Sequence, residues 1–281
     1  MGDLQAGGTR ITTPTRLTLD EKWNDPLAWT ADSNSVLFYS NRDGVGRIFK
    51  QTLGKDTAEP LINGMNDETT NEGCLSPEGS WLVFMVQPSS GAIRSLVRIP
   101  ITGGTPQPVL TADLDGPPRC ARSPATLCAM AERSADRKQL VFTAFDAMNG
   151  RGRELARFNT DPIADYRWDL TPDGTRLAIV KVREGQIQIL SLTGGASREI
   201  TVKGWDTLTT VAWAADGKGL FASSFSERGT VVLSVDLQGN TRLLWEHEGG
   251  HDTYAVPSPD GRHLAMRAWD VEDNLWMMEN F

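Results

Sequence analysis

Five consecutive residues, His247-Glu248-Gly249-Gly250-His251, have the types and spacing of a zinc peptidase motif. That chemistry needs a helix. Only positions i and i+4 on one helical face bring both imidazoles to one metal, with the glutamate placed to activate water. Two adjacent glycines inside the motif each disfavour helix by about 1 kcal/mol, and strand-like residues lie on either side. A loop is therefore expected here, and zinc hydrolysis is not. Other chemistries lack their parts as well. The sequence has no G-x-S-x-G nucleophile elbow, no glycine-rich phosphate loop ahead of a suitable lysine, and no H-R-D or D-F-G. Three histidines among 281 residues leave little material for imidazole acid–base catalysis.

A second set of residues is better suited to binding. Trp23 and Asp25, Asn71 and Glu72, Arg119, the trio Asp165, Tyr166 and Trp168, the pair Trp205 and Asp206, and finally His251, Asp252 and Tyr254 each stand just ahead of, or at the start of, a strand-like run. Flat aromatic area beside hydrogen-bonding groups suits recognition of a protein, a peptide or a small polar ligand. Asp25, Glu72, Asp165, Asp206 and Asp252 are also hard oxygen donors, which would suit calcium if they converged. No cofactor is otherwise expected.

Cys74, Cys120 and Cys128 allow one disulfide. Cys120 and Cys128 flank a hairpin turn that would set them opposite each other, and a bond between them would imply an oxidising compartment. Three buried reduced thiols are the alternative. No second cysteine pair or histidine pair completes a zinc signature.

The elements that must position these residues follow a period. A turn signal recurs as Thr30-Ala31-Asp32-Ser33, Ser76-Pro77-Glu78-Gly79, Ser123-Pro124-Ala125-Thr126, Thr171-Pro172-Asp173-Gly174, Ala214-Ala215-Asp216-Gly217 and Ser258-Pro259-Asp260-Gly261. The steps between second residues are 46, 47, 48, 43 and 44. A marker at Ser134-Ala135-Asp136-Arg137 in place of the third copy would give steps of 58 and 37, so the even register is preferred. Proline pre-sets φ, aspartate caps nearby N–H groups and glycine accepts positive φ, which closes a tight hairpin. Apolar runs such as Val36–Ser40, Trp81–Val86 and Thr175–Val180 follow these turns and read as buried strands. A further strand, a glycine-rich turn and a short outer strand complete each repeat. A fixed period near 45 residues with four strands per repeat specifies an all-β six-bladed β-propeller with four-stranded antiparallel blades.

The last blade supplies strands at Tyr254–Pro257, His263–Ala268 and Asn274–Asn280 but no fourth, which would leave an open edge. The orphan segment Thr15–Leu19 is expected to complete it as an N- to C-terminal clasp. Residues 1–14 then read as a linker or disordered N-terminus, and 15–281 as one propeller domain. The chain has no 18-residue apolar run to cross a membrane, and its first residues lack the basic and apolar regions of a secretory signal. A net charge of −8 without a basic run argues against nucleic acid as a partner, and an isolated propeller is expected to be monomeric.

Ser-Pro-Asp-Gly followed by a β run, a second strand and Gly-Gly resembles the WD40-like repeats of TolB-type six-bladed propellers; Thr171–Gly195 and Ser258–Ala268 carry the pattern most fully. The lead-in Arg16-Leu17-Thr18 and the ending Asn274–Phe281 are similar to propellers at the C-terminal end of larger bacterial proteins, where a winged-helix or serine/threonine kinase domain lies across a membrane. The resemblance implies an extracytoplasmic, periplasmic sensor domain with a generic binding role, and no catalytic residue. The alternative is a propeller enzyme of lactonase, lyase or glycosidase type, with its acids, able to take calcium, gathered at the channel mouth. Convergence of those acids would favour the enzyme and dispersal the binder.

Overall fold

The structure is a computed structural model that describes residues 1–281 apart from 21, 63–67, 88–92 and 271–281, and apart from the side chains of 6, 68–71, 87, 251–252 and 269–270. Six four-stranded antiparallel sheets surround one channel. Blade one is Asn24–Trp29, Ser35–Ser40, Arg47–Thr52 and Glu59–Pro60; blade two is Glu68–Leu75, Trp81–Gln87, Ser95–Pro100 and Gln107–Thr111. Blade three is Arg119–Cys120, Cys128–Arg133, Gln139–Asp146 and Gly150–Asn159; blade four is Tyr166–Leu170, Arg176–Lys181, Gln186–Ser191 and Arg198–Thr201. Blade five is Thr210–Trp213, Gly219–Phe225, Gly229–Asp236 and Thr241–Glu248. The first strand of each blade is innermost and lies beside the first strands of its neighbours. Among the described residues no helix is long and apolar enough to cross a membrane.

The recurrent turns close as their residues require. The Thr30 hydroxyl donates to Asp32 Oδ1 and the Ser258 hydroxyl to Asp260 Oδ1, both at 2.6 Å. Gly79, Gly174, Gly217 and Gly261 take positive φ, a region that side chains avoid. Blade three departs from the pattern. Pro117 and Pro118 cannot donate to a ladder, and its innermost strand is only Arg119–Cys120, followed by a turn containing a cis Ser123–Pro124 bond. The same serine–aspartate turn reappears one strand later, where Ser134 Oγ donates to Asp136 at 2.6 Å. Both candidate markers are therefore real turns, and the even register marks the innermost strand.

The ring closes through the N-terminus, but with different residues from those expected. Blade six runs from Ala255–Pro257 through His263–Met266 to Gly2–Gln5 and then Arg10–Ile11. Gly2 pairs with Leu264, and Leu4 with Ile11. The N-terminus thus supplies two strands, and residues 1–14 are not a linker. Thr15–Leu19 forms no strand, although Thr15 exchanges backbone hydrogen bonds with Met1. The physical reason lies in Leu4 and Ile11, which pack on Phe221, Val232 and Leu264; their apolar face is too short to stand out among glycines and threonines. The expected strand at Asn274–Asn280 lies outside the described residues.

The core sits between blades. The seam of blades four and five buries Ile187, Val211, Trp213, Leu220 and Leu233. The seam of blades six and one has a smaller apolar cluster around Trp29, Phe38 and Ala265, reinforced by polar links. Trp29 Nε1 donates to Val256 O at 2.9 Å, and Tyr254 Oη to Pro26 O at 3.0 Å.

Candidate functional site

Side chains alternate along a strand, so each innermost strand offers one set to its neighbouring blades and the other to the channel. Tyr166, Trp168 and Leu170 are buried among Phe142, Leu140 and Ile179 in the seam of blades three and four. Arg167 and Asp169, between them, turn the other way. The channel holds a half-open cavity of about 350 Å³, lined by the C-terminal halves of all six innermost strands and by the hairpin turns that follow them. Arg119, Arg122, Asp169 and Glu78 are the charged residues of this lining; Cys74, Ala212, Trp213 and Val256 are among the apolar ones.

The charges are organised around Asp169. Arg119 Nε lies 3.1 Å from Asp169 Oδ1, with the two side chains 29% and 18% exposed. The backbone N–H of Trp213, one blade further round, donates to Asp169 Oδ2 at 2.7 Å. Burial raises the Asp169 carboxyl above its ordinary value, opposed by Arg119, the Trp213 and Leu170 N–H groups and Arg122. Burial likewise lowers the Arg122 guanidinium, opposed by Asp169 and Asp260. Arg122 reaches across the channel to Pro257 O at 3.3 Å and Pro259 O at 3.4 Å, while its own N–H donates to Pro172 O at 2.8 Å. These contacts place the two guanidinium groups and the Asp169 carboxylate, with Glu78 also in the lining, against a single half-open cavity. Such a set can hold a carboxylate on the arginines and an ammonium or hydroxyl on Asp169.

At the opposite, lead-in end of the channel the sequence-selected residues are differently employed. Asp25 is fully buried and pairs with the 8%-exposed Arg267 of blade six at 3.1 Å. Trp23 donates its indole N–H to Asp25 at 2.5 Å and lies under the Arg267 guanidinium, 4.9 Å from the ring centroid. Trp23, Asp25 and Tyr254 are thus brought together, but as part of the seam that closes the ring. Trp23, Asp25 and Arg267 also line a groove of about 870 Å³ that runs past Thr15–Thr18, Lys22, Trp245 and His247. Glu72 stands 3.8 Å from Arg94. Asp165 and Asp206 are exposed, and Trp205 packs half-buried against the core of blades four and five. The side chains of Asn71, His251 and Asp252 lie outside the described residues.

Two of the expected contact residues are corrected by this arrangement. Trp168 is 2% exposed and meets Phe142 edge-on at 5.1 Å, and Tyr166 is buried against Phe158. Both are core rather than rim, because the alternation of Tyr166–Leu170 gives its bulky positions to the seam. Of the selected residues, Arg119 lines the cavity; Asp169 and Arg122 were missed. The alternation of that same strand carried the signal for Asp169, whereas Arg122 sits in an irregular turn with no periodic signal.

Among the described residues no three His, Cys, Asp or Glu side chains group closely enough to hold a metal ion. The acids Asp25, Glu72, Asp165 and Asp206 are dispersed rather than convergent. The H-E-x-x-H segment is not helical: His247 and Glu248 end strand Thr241–Glu248, Gly249 takes φ of 74°, and strand Gly250–Asp252 follows. Cys120 and Cys128 face each other in register and are joined by a disulfide.

No known family model matches the chain, and no curated protein matches it. Solved structures do match in fold. A protein assigned as TolB from Agrobacterium tumefaciens superposes with a TM-score of 0.66 at 18% identity, over 90% of this chain and 92% of that one. TolB from Acinetobacter baumannii gives 0.59 at 17%, over 88% of this chain and 63% of that one. An oligogalacturonate lyase in complex with manganese gives 0.55 at 17%, over 84% and 68%. The fold is therefore a TolB-like six-bladed β-propeller.

Proposed function

We propose that this chain is a non-catalytic binding propeller that takes a small polar ligand, or the end of a peptide, into its channel cavity. The observation that carries the reading is the Arg119–Asp169–Arg122 cluster at a half-open cavity of about 350 Å³. Two fixed donors and one acceptor in a partly desolvated site match a molecule bearing a carboxylate together with an ammonium or hydroxyl group, such as an amino acid, a peptide terminus or an acidic sugar. The disulfide suits an oxidising, extracytoplasmic compartment, and the TolB-like fold supports a sensor or protein-binding role within a larger bacterial protein. No bound metal is required.

The test is a melting-temperature screen against amino acids, short peptides and hexuronates, run beside metal analysis of the purified protein. A ligand class that raises the melting temperature of the native chain but not of Arg122→Gln supports the reading. A stoichiometric metal whose chelation lowers the melting temperature would replace it with the propeller-enzyme reading, to which the lyase of similar fold lends its precedent.

A further inference from the structure

Cys74 is the free cysteine, and it is buried in the wall of the channel cavity. Its thiol is directed at another sulfur: Cys74 Sγ lies 3.4 Å from Cys120 Sγ, as donor to it. Cys120 is in turn bonded to Cys128. Three sulfurs therefore stand in sequence across the seam of blades two and three, where Cys74, Cys120 and Cys128 share one apolar cluster with Met85 and Met130.

We propose that these three cysteines form an internal thiol–disulfide exchange site. The Cys74 thiolate attacks Cys120 Sγ; the Cys74–Cys120 bond forms as the Cys120–Cys128 bond breaks. Cys128 leaves as a thiolate and takes up the proton that Cys74 gave up. One disulfide replaces another, so the step needs no oxidant or reductant.

The exchange would change what the covalent link restrains. Cys120–Cys128 closes a loop that carries Ala121, Arg122 and Ser123, all of which line the cavity. Cys74–Cys120 would instead join blade two to blade three and release that loop, and with it Arg122. The burial that shields Cys74 also restrains the reaction. Burial pushes its thiol up to about 12; neighbouring Arg119 lowers it and Asp169 raises it. The reactive thiolate is scarce at neutral pH and becomes about tenfold more abundant with each unit of pH.

The three cysteines fall on separate tryptic peptides, Asp56–Arg94, Cys120–Arg122 and Ser123–Arg133, so their connectivity can be read directly. Native protein held near neutral pH and at about two units higher would be quenched in acid and unfolded. Its free thiol would be blocked with N-ethylmaleimide, and the digest mapped without reduction. Exchange predicts that a Cys74–Cys120 linked pair and blocked Cys128 appear, about 100-fold faster at the higher pH. Finding Cys74 as the sole blocked cysteine at both pH values after prolonged incubation would overturn the proposal. Cys128→Ser provides an independent check. Mild oxidation with diamide should join Cys74 to Cys120, and two persisting thiols would count against the site.

Discussion

At the lead-in end of the channel, charged and aromatic side chains are committed to one another across the seam that closes the ring; at the hairpin end they gather around a half-open cavity. Asp25, Trp23 and Arg267 satisfy each other at distances of 2.5–3.1 Å between side chains for the two polar contacts. Arg119, Asp169 and Arg122 are held mainly by backbone groups and by one ion pair, and they line a cavity. All six innermost strands line the hairpin-end cavity, whereas blades one, five and six and the N-terminal segment line the lead-in groove. The difference teaches that a rim rich in polar and aromatic residues can be structural, while a sparser and more exposed charged cluster at the other end lines a cavity and is the one proposed to take a ligand.

The comparison can be broken first at the closing seam. Deleting residues 1–11 removes two of the four strands of blade six together with Leu4 and Ile11. The loss should exceed about 4 kcal/mol and lower the melting temperature by more than about 10 °C. A truncated chain that melts like the full one would show that the clasp is dispensable. Next in size are the buried groups of the lead-in half. Asp25→Ala removes the carboxylate that faces the buried Arg267 guanidinium, and Trp168→Ala opens a cavity; each should cost about 3–5 kcal/mol in denaturant unfolding. Trp23→Ala removes the indole N–H that donates to buried Asp25 and the ring that lies under Arg267, and should cost about 1–3 kcal/mol.

Titration separates the turns from the cavity. Asp32 is held below the ordinary carboxylate value of 3.8 by the Thr30 hydroxyl and the Asn34 N–H, and Asp136 by the Ser134 hydroxyl and the Lys138 N–H. The stability they contribute is present above 3.8 and is lost as pH falls below it. Asp169 has the opposite sign. Its raised carboxyl favours the folded state at low pH, and that contribution is lost as pH rises through its folded value. The melting temperature of Asp169→Asn should therefore gain on that of the native chain as pH is raised from about 3 to about 7. A constant difference would remove burial of the Asp169 charge from the account. The smallest effect expected is that of chelation: the described acids are dispersed, so EDTA should move the melting temperature by less than about 1 °C, or about 0.5 kcal/mol.

The fold was legible because its turns are chemical. Serine or threonine, proline, aspartate and glycine recur at a spacing that only a repeat explains, and the even register found the innermost strand of blade three despite its broken ladder. The clasp was visible as a need but not as a sequence, since Gly2–Gln5 acquires its partner Leu264 only through the ring. The site was half legible. Loop position drew attention to Trp168 and Tyr166, yet it is strand alternation that decides which side chains reach the channel, and it assigns those two to the seam. Arg119 was singled out by position, but for the lead-in rim rather than the hairpin-end cavity that it lines, and Asp169 lay within reach of the same alternation. Arg122 reaches Pro257 and Pro259 from the opposite side of the ring, a juxtaposition that exists only once six blades have closed.

The central claim is that the hairpin end binds and the lead-in end holds. Isothermal titration of the compound that most raises the melting temperature, against the native chain, Arg119→Gln, Arg122→Gln and Trp23→Ala, tests it most directly. Both arginine substitutions should weaken binding at least about tenfold, the loss of a charge-assisted hydrogen bond of about 1.5–3 kcal/mol, and Trp23→Ala should leave it unchanged. Binding that survives both arginine substitutions and disappears in Trp23→Ala would place the ligand at the other mouth and contradict the account.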